Sequence, residues 1–459
     1  MEKSLLRNCS NLFLFIILLL NYSFDSNKIE LPSIVCLILI ALNLLITLSK
    51  HQIFSIKGFF VILLIIFQAN YVTLSYINDS SFNHVNLMSG FFLETALIFK
   101  SLLILNWVLV LIGFVFFSGP QKNNLSKDSI ITHKKYSIFF SLVIIITLTS
   151  ITFIRVNHII EFGYINFFTN ENVLQYSGLY SLILYFIESY LFYLLLIRKY
   201  KLNTILFLFL ILIVSQMSDG RRGYTALNVI MLLIILHKFY GYHFSFKKSI
   251  LILTLTISSF ILVSHNRTAN ESNNINFIEN NIKFFAGQSD SFNIIPLVLS
   301  NKQIIDYSLF DMFGKFKRNL KNYVKIILNE KTDSDRNNLA NKDKVFSAYI
   351  SNKLAPKAFL LGFGMGGNFI AELLVVSDYN YVLFNFFVII LLLFISFVDN
   401  NFKSGNKNIF SLFVLLYVGR SLIYIGRNNI MDFLSELIIP LFFFIIIHTF
   451  FMFNKQRNS

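Results

Sequence analysis

Long uninterrupted runs of apolar residues constrain this chain more than any other feature of its sequence. One run near the start reads "LFLFIILLL", and similar runs recur along most of the chain. A helix needs about 20 mainly apolar residues to cross the hydrocarbon core of a bilayer. Charged residues make up 14% of the chain, against about 25% in soluble domains. The sequence therefore predicts a membrane protein.

Twelve stretches are apolar and long enough to be candidate spans. All are expected to be helical, because in lipid an open chain satisfies its backbone hydrogen bonds only as a helix. The first resembles a signal peptide but lacks a small-x-small cleavage site, so it is interpreted as a retained span. The fold class predicted is an all-α polytopic membrane protein with about twelve transmembrane helices. The candidates are 5–22, 31–48, 58–77, 91–117, 136–155, 177–197, 203–217, 222–239, 249–264, 379–398, 408–425 and 433–453.

These spans divide the chain into two groups of helices and one long loop. Spans one to nine occupy residues 1–264, the loop occupies 265–378, and spans ten to twelve occupy 379–459. The middle of the loop reads "SLFDMFGKFKRNLKNYVKIIL". Its apolar residues fall on one helical face, which predicts an amphipathic helix that lies on a membrane surface or caps the bundle.

The distribution of lysine sets the expected orientation in the membrane. Loops that follow even-numbered spans are rich in lysine, which places these loops and both termini in the cytoplasm and the long loop outside. The net charge of +15 would suggest a nucleic-acid partner in a soluble protein. Here the orientation accounts for it, and no nucleic acid is expected.

Apart from Lys28, the basic residues near the outer ends of the spans are arginines. The orientation does not require them there and is weakened by them. They either extend to lipid headgroups or bind an anion. They are Arg155, Arg221, Arg222, Arg267, Arg420 and Arg427.

The turn "SDGRRGYTALN" between spans seven and eight is the strongest candidate for an anion site. Gly220 and Gly223 leave the backbone accessible, and the start of span eight presents N–H groups and the positive end of a helix dipole. Arg221 and Arg222 add guanidinium groups, whose planar fork matches phosphate. The turn is predicted to bind a lipid-linked pyrophosphate at the outer surface, with the other outer arginines around the same anion.

Charged residues also lie within the predicted spans. Glu94 and Lys100 lie in span four, and Glu188 lies in the middle of span six. Such residues normally face a partner or a cavity. They are expected either to pair with one another or with neighbouring basic residues, or to line a water-filled crevice.

Gly362, Gly364 and Gly367 match the pattern GxGxxG in the long loop. No βαβ pattern surrounds them, so no dinucleotide site is predicted. The glycines are instead expected to allow a tightly turned backbone to approach a ligand closely. No pattern of metal ligands is present, and no cofactor is expected.

Three stretches resemble the bacterial O-antigen polymerases, the Wzy-type polymerases of oligosaccharide repeat units. The stretches are "SDGRRGYTALNVIMLLIIL", "GFGMGGNFIAELLVVSDYNYV", in which Glu372 precedes a span, and "GRSLIYIGRNNIMDFLSELIIP". The number of spans and the single long outer loop are also similar to the plan of this family.

The resemblance implies a GT-C-like glycosyltransferase of the bacterial inner membrane. The donor would be a growing glycan on undecaprenyl pyrophosphate, and the acceptor a single repeat unit on the same carrier. Arg221 and Arg222 would stabilise the leaving pyrophosphate without a metal. Glu372 is the first candidate for the general base and His265 the second, although Glu372 could instead pair with an arginine. Membrane lipids are expected partners, and a chain-length regulator protein is a candidate partner.

Two other functions use overlapping features. An O-antigen ligase would share the donor but use a lipid core oligosaccharide as acceptor, and the loop before span ten shows no clear ligase-like histidine signature. A flippase for lipid-linked oligosaccharides would be expected to show paired repeats, and none is evident.

Overall fold

The computed structural model of the chain describes most of the predicted helices. The described residues are 30–49, 53–70, 94–117, 138–162, 171–198, 200–218, 222–242, 290–328, 335–360, 366–403 and 408–457. Within these segments the regular structure is helical and contains no β-strand. The expected all-α class is therefore confirmed.

The helices are numbered in chain order. In the first half they are α1 (Glu30–Ser49), α2 (Ile56–Leu64, continued by a π-helical turn at Ile65–Ala69), α3 (Thr95–Phe117), α4 (Ile138–Phe162), α5 (Glu171–Ile197), α6 (Leu202–Ser218) and α7 (Arg222–Phe239). In the second half they are α8 (Ile294–Ser300), α9 (Gly314–Ile327), α10 (Phe346–Leu354), α11 (Pro356–Leu360), α12 (Phe369–Val376), α13 (Tyr381–Lys403), α14 (Ile409–Ile423) and α15 (Asp432–Arg457).

Among the described residues, six helical segments are long and apolar enough to cross a membrane. They are Glu30–Thr47, Thr95–Phe116, Phe140–His158, Tyr180–Ile197, Tyr381–Phe402 and Asp432–Phe453. Shorter apolar helices include Ile56–Ala69, Leu202–Met217, Gly223–Phe239 and Ile409–Ile423, which overlap four further expected spans. The first and ninth expected spans lie outside the described residues, so the number twelve stays a prediction.

Two positions differ from the sequence-based expectation. Arg155 was expected at the outer end of the span 136–155. The helix α4 continues to Phe162, so Arg155 lies within the helix, near the end of its apolar segment Phe140–His158, with 1% of its surface exposed. The helix ends later than expected because the polar residues after Arg155 do not end it. Glu94 was expected within a span, but it precedes the first residue of α3 and is exposed.

The chain forms two compact units, each made of segments that are not consecutive. The first unit comprises Met1–Lys122, Asn281–Asn400 and Ser421–Ser435. The second unit comprises Asn123–Asn280, Asn401–Arg420 and Glu436–Ser459.

Buried asparagines join α1 to α3 in the first unit. The Nδ2 of Asn43 donates to the carbonyl of Leu109 at 3.3 Å, and the Nδ2 of Asn106 donates to the carbonyl of Pro32 at 3.0 Å. Interhelical hydrogen bonds of this kind matter in membranes, because apolar surface alone gives little drive for two helices to associate in lipid. The two bonds fix how α1 and α3 align.

The second unit is held together by α6, which packs against α4, α5 and α7. Aromatic rings fill the space around these helices. The ring centroids of Phe413 and Phe444 are 4.6 Å apart, and those of Phe192 and Phe209 are 5.0 Å apart. The same helices carry polar side chains midway along their length, and this packing buries them.

Candidate functional site

A fully buried carboxylate, Glu188 on α5, lies at the centre of a polar cluster in the second unit. Its side chain has no exposed surface and pairs with Arg420, with 2.5 Å between Oε1 and Nη1. Two tyrosine hydroxyls also donate to Oε1, those of Tyr417 at 3.0 Å and Tyr224 at 3.2 Å. Burial of a charge requires such compensation. For Glu188, the expected pairing with a neighbouring basic residue is confirmed.

The other oxygen of Glu188 accepts hydrogen bonds from the two helices that flank the arginine turn. The Nε2 of Gln216, near the end of α6, donates to Oε2 at 3.0 Å. The Nδ2 of Asn228, on α7, donates to the same oxygen at 2.7 Å. Together with Tyr224, these contacts tie both sides of the turn to a single carboxylate.

Arg420 on α14 is enclosed as completely as its partner. Its Nη2 donates to the hydroxyl of Tyr224 at 2.7 Å, and its Nη1 donates to Oδ1 of Asn228 at 3.0 Å. The guanidinium carbon lies 4.3 Å from the ring centroid of Tyr224 and 4.6 Å from that of Tyr417. A second carboxylate, that of Glu436, lies 3.9 Å from Nη2. The positive charge of Arg420 is therefore compensated within the protein.

The turn itself is only partly described. The sequence predicted that span eight begins at residue 222, and α7 does begin at Arg222, with Gly223 in its first turn. Gly220, Arg221 and the side chain of Arg222 lie outside the described residues, as do His265 and Arg267. The structure therefore fixes the two ends of the turn and not the guanidinium groups that it carries.

Arg155 is a second buried arginine of the second unit. Its guanidinium carbon lies 5.5 Å from the ring centroid of Tyr180 on α5. Aromatic faces attract guanidinium groups, most strongly when both are removed from water.

A second buried carboxylate, Glu372 on α12, lies in the first unit. It has no exposed surface, and each of its oxygens accepts one hydrogen bond. Oε1 accepts from the hydroxyl of Tyr307 at 3.0 Å, and Oε2 accepts from the backbone N–H of Ile430 at 2.7 Å. Among the described residues, Glu372 forms no ion pair with an arginine.

Burial determines the protonation of this carboxyl group. Loss of solvent raises the pKa of Glu372 from 4.5 to about 8, although the hydrogen bonds from Ile430 and Tyr307 act in the opposite direction. The nearby charge of Asp432 adds to the increase. Burial also raises the pKa of Tyr307, and the negative charge of Glu372 raises it further.

The segment 426–432, "GRNNIMD", is bound along its length by other parts of the first unit. The Nε2 of Gln68 donates to the carbonyl of Gly426 at 2.6 Å, and the N–H of Gly367 donates to the carbonyl of Arg427 at 2.9 Å. Asn368, which caps α12, also bonds to Gln68 at 2.8 Å. The loop that carries Arg427 is thus positioned by α2 and α12 as well as by Glu372.

Two glycines of the predicted glycine-rich stretch explain how closely these segments approach. Gly366 has φ +79°, which favours glycine. A Cβ on Gly367 would lie 2.4 Å from the carbonyl carbon of Asn428. The glycine-rich stretch was expected to approach a ligand closely. At Gly366 and Gly367 the close approach is instead to the backbone of the segment 426–432. Gly362 and Gly364 lie outside the described residues.

Arg427 differs from Arg420 in its surroundings. It is half-buried, and its guanidinium carbon lies 5.6 Å from the ring centroid of Phe67. In the part of the chain that the structure describes, no carboxylate pairs with this guanidinium. Arg420, by contrast, lies beside the carboxylates of Glu188 and Glu436.

The sequence reasoning identified Glu188, Glu372, Arg420 and Arg427 but missed their neutral partners. A usable signal existed for some of them, because Gln216 and Asn228 are amides in otherwise apolar helices, where polar groups seek partners. Gln68, within the expected span 58–77, gave the same signal, whereas Tyr307 and Asn368 gave none, because a tyrosine or amide outside a span is unremarkable.

Long apolar helices with charged groups buried between them define a multi-pass membrane protein. The family model for the O-antigen polysaccharide polymerase Wzy matches residues 7–457, nearly the whole chain. The chain therefore belongs to the Wzy family of O-antigen polymerases. No curated protein and no solved structure matches it. The protein is accordingly a glycosyltransferase-type polymerase of repeat units, whose substrates are lipid-linked oligosaccharides.

Proposed function

We propose that this polymerase acts at the periplasmic face of the bacterial inner membrane, with both termini in the cytoplasm and a GT-C-like arrangement of helices. A hydroxyl of the acceptor unit attacks the anomeric carbon of the donor glycan. The new glycosidic bond forms as the bond from this carbon to undecaprenyl pyrophosphate breaks. The hydroxyl proton passes to a base, and the pyrophosphate leaves with the electron pair. Both substrates remain carrier-linked until this step.

The observation that carries this proposal is the attachment of both sides of the arginine turn to Glu188. Gln216 precedes the turn and Tyr224 follows it, and both donate to this carboxylate. A turn fixed in this way can hold Arg221 and Arg222 at the N-terminus of α7, where the helix dipole also favours an anion. Charge that develops on the leaving group is stabilised best by donors that are already in place.

We assign different roles to the remaining arginines. Arg427 is a candidate to bind pyrophosphate because its charge is not compensated by the described residues. Arg420 is a positioning residue, since its charge is neutralised by Glu188 and its Nη2 bonds to Tyr224. Arg155 and Arg267 stay candidates for substrate binding, with Gly220 and Gly223 providing the accessible backbone.

The same reasoning applies to the general base. Glu372 is fully buried with both oxygens occupied, so we propose that it acts by holding the segment of Arg427. A general base must come within hydrogen-bond distance of the acceptor hydroxyl. His265 is then the candidate for this role in the long loop.

The decisive experiment is incubation of the purified protein in vesicles with a synthetic undecaprenyl-pyrophosphate-linked repeat unit. Product ladders from the wild type and loss of extension in Arg221→Ala and Arg222→Ala are expected. Arg221→Lys should also lose chain extension if bidentate contact matters. Arg457→Ala, on the cytoplasmic side in the proposed orientation, serves as the control. Full ladders from both alanine variants would remove the turn from the mechanism.

The requirement for a metal is tested in the same assay. Because the proposed stabilisation of the leaving group relies on fixed arginines, addition of EDTA is expected to leave the rate unchanged. A rate that collapses with EDTA and returns with Mg²⁺ would show that a cation shares this role.

The glycan profile of cells that lack the protein separates the related functions. Loss of a polymerase leaves single repeats on the lipid core. Loss of a ligase leaves none, with polymer retained on the carrier, and loss of a flippase leaves none, with single units trapped inside. Only the first profile agrees with the proposal.

A further inference from the structure

The helix α9 turns two basic residues, Lys315 and Arg318, toward the protein and an apolar face outward. It carries five basic residues within Gly314–Ile327, which are Lys315, Lys317, Arg318, Lys321 and Lys325. In a soluble protein an amphipathic helix packs its apolar side against the core. The orientation of α9 is the reverse, as two sets of contacts and the exposure of its outer side chains show.

Ion pairs fix the inward face. The Nζ of Lys315 lies 2.7 Å from Oδ2 of Asp432, and Nη1 of Arg318 lies 2.7 Å from Oδ2 of Asp343. The Nη2 of Arg318 also donates to the carbonyl of Asp335 at 3.1 Å. Lys315 and Arg318 are three residues apart and therefore lie on one side of the helix.

The start of the helix is in direct backbone contact with the same part of the first unit. A Cβ on Gly314 would lie 1.7 Å from the carbonyl oxygen of Asp343. Only glycine allows this approach. Together with the ion pairs, the contact prevents α9 from rotating its apolar face inward.

The outward face combines large apolar side chains with lysines. Leu320, Val324 and Leu328 recur every four residues and are 46%, 49% and 61% exposed. Phe310, just before the helix, is 75% exposed, and its carbonyl lies 3.5 Å from the Nζ of Lys317. Lys317 and Lys321 are exposed on the same side.

The length and charge of α9 indicate whether it crosses a membrane or lies on its surface. Its 14 residues span only about 21 Å, which is too short to cross a bilayer, and its five positive charges exclude a transmembrane position. Exposed apolar side chains flanked by lysines are typical of helices that lie in the plane of the interface, where lysines meet anionic headgroups.

We propose that α9 is a membrane-interface helix whose outward face inserts at the headgroup–acyl boundary of an anionic lipid surface. Lys317 and Lys321 contact the lipid phosphates, and Leu320, Val324, Leu328 and Phe310 enter the apolar layer. Through Lys315 and Asp432, the helix then holds the start of α15, next to the segment of Arg427, at a fixed depth. The inference does not depend on the proposed chemistry of transfer.

A fluorescent label on a single cysteine tests the position of this face. Leu320→Cys and, as a matched control, Lys342→Cys are made in a Cys9→Ser, Cys36→Ala background of the full-length protein. The protein is reconstituted in vesicles of phosphatidylethanolamine and phosphatidylglycerol, with shallow nitroxide lipids as one quencher and iodide as the other. We expect lipid nitroxides to quench the label at residue 320 at least threefold more than the label at residue 342, with iodide showing the reverse order.

Equal iodide quenching at both sites, with no lipid quenching at residue 320, would overturn the proposal. So would efficient disulfide crosslinking between two Leu320→Cys chains, which would identify a second copy as the occupant. The role of charge is tested by replacing phosphatidylglycerol with phosphatidylcholine. When Lys317 and Lys321 are present, this exchange of lipids should reduce lipid quenching at residue 320. In a Lys317→Gln, Lys321→Gln background, the exchange should leave lipid quenching at residue 320 unchanged. Sensitivity in both backgrounds would contradict the role of the two lysines.

Discussion

Glu188 and Arg420 form an ion pair of 2.5 Å in which neither side chain has any exposed surface. They are 232 residues apart in the chain. Removal of two charges from water is unfavourable, and their attraction compensates only when further hydrogen bonds satisfy the remaining atoms. Gln216, Asn228 and two tyrosines provide such bonds to the carboxylate and to the two Nη atoms, whereas Nε of Arg420 has no hydrogen-bond partner among the described residues. The pair is therefore suited to organise the helices around the arginine turn.

Glu188→Ala is expected to lower the free energy of unfolding by about 3–5 kcal/mol, because it leaves a buried guanidinium without its closest partner. The measurement is the unfolding free energy in bicelles. The informative control is the exchanged pair, Glu188→Arg with Arg420→Glu. Partial recovery of both stability and chain extension would support a positioning role for Arg420, whereas recovery of stability alone would indicate that this guanidinium contacts the substrate.

Arg427→Ala is expected to reduce kcat for chain extension by on the order of 100-fold, comparable to loss of one preorganised donor to developing negative charge. The thermal stability should change little, because the contact with Phe67 is a single cation–π interaction of about 1 kcal/mol. Lys357→Ala, an exposed basic residue of the same unit, is the control. Equal rates in both variants would exclude Arg427 from the site.

The protonation of Glu372 gives stability a specific pH dependence. Its pKa of about 8 in the folded protein lies above the ordinary value of 4.5, so the folded state binds more protons between these pH values. The free energy of unfolding should therefore fall as the pH rises from 4.5 through 8 and then level off. Glu372→Gln, which mimics the protonated form, should lose this component. An identical pH profile for both proteins in thermal denaturation would refute the assignment.

The same variant separates a positioning role from a catalytic one. If Glu372 only holds the backbone at Ile430, Glu372→Gln retains an acceptor for this N–H and should keep most of kcat. Glu372→Ala should lose activity and stability together. Loss of kcat in the glutamine variant, with unchanged stability and KM, would instead indicate that the carboxylate accepts the proton.

Gly367→Ala is expected to destabilise the first unit by about 2 kcal/mol or more, because its Cβ would meet backbone atoms of Asn428 that cannot move independently. Gly426→Ala is a matched control, since the nearest atom to its Cβ would be 3.7 Å away on Phe67. The comparison uses thermal denaturation in detergent. Similar melting temperatures for the two variants would show that the close approach is easily relaxed.

Much of the fold could be predicted from the sequence because the thickness of a bilayer imposes a length on every apolar helix. The start of α7 at Arg222 and the amphipathic character of α9 both followed from local pattern alone. The end of α4, beyond Arg155, was placed too early for a related reason. A helix can continue beyond its apolar run when its polar side chains have partners elsewhere in the protein. The pattern of hydropathy contains no information about these partners.

The sequence by itself determined that the chain is helical, membrane-embedded and rich in arginine at the ends of its spans. Only the tertiary structure decided which of these charges are compensated. Glu188 meets Arg420, Glu372 meets a backbone N–H rather than an arginine, and α9 turns Lys315 toward Asp432 and Arg318 toward Asp343. The physical reason is that hydropathy depends on the residues within one helix. The compensation of a buried charge depends instead on side chains that arrive from distant parts of the chain.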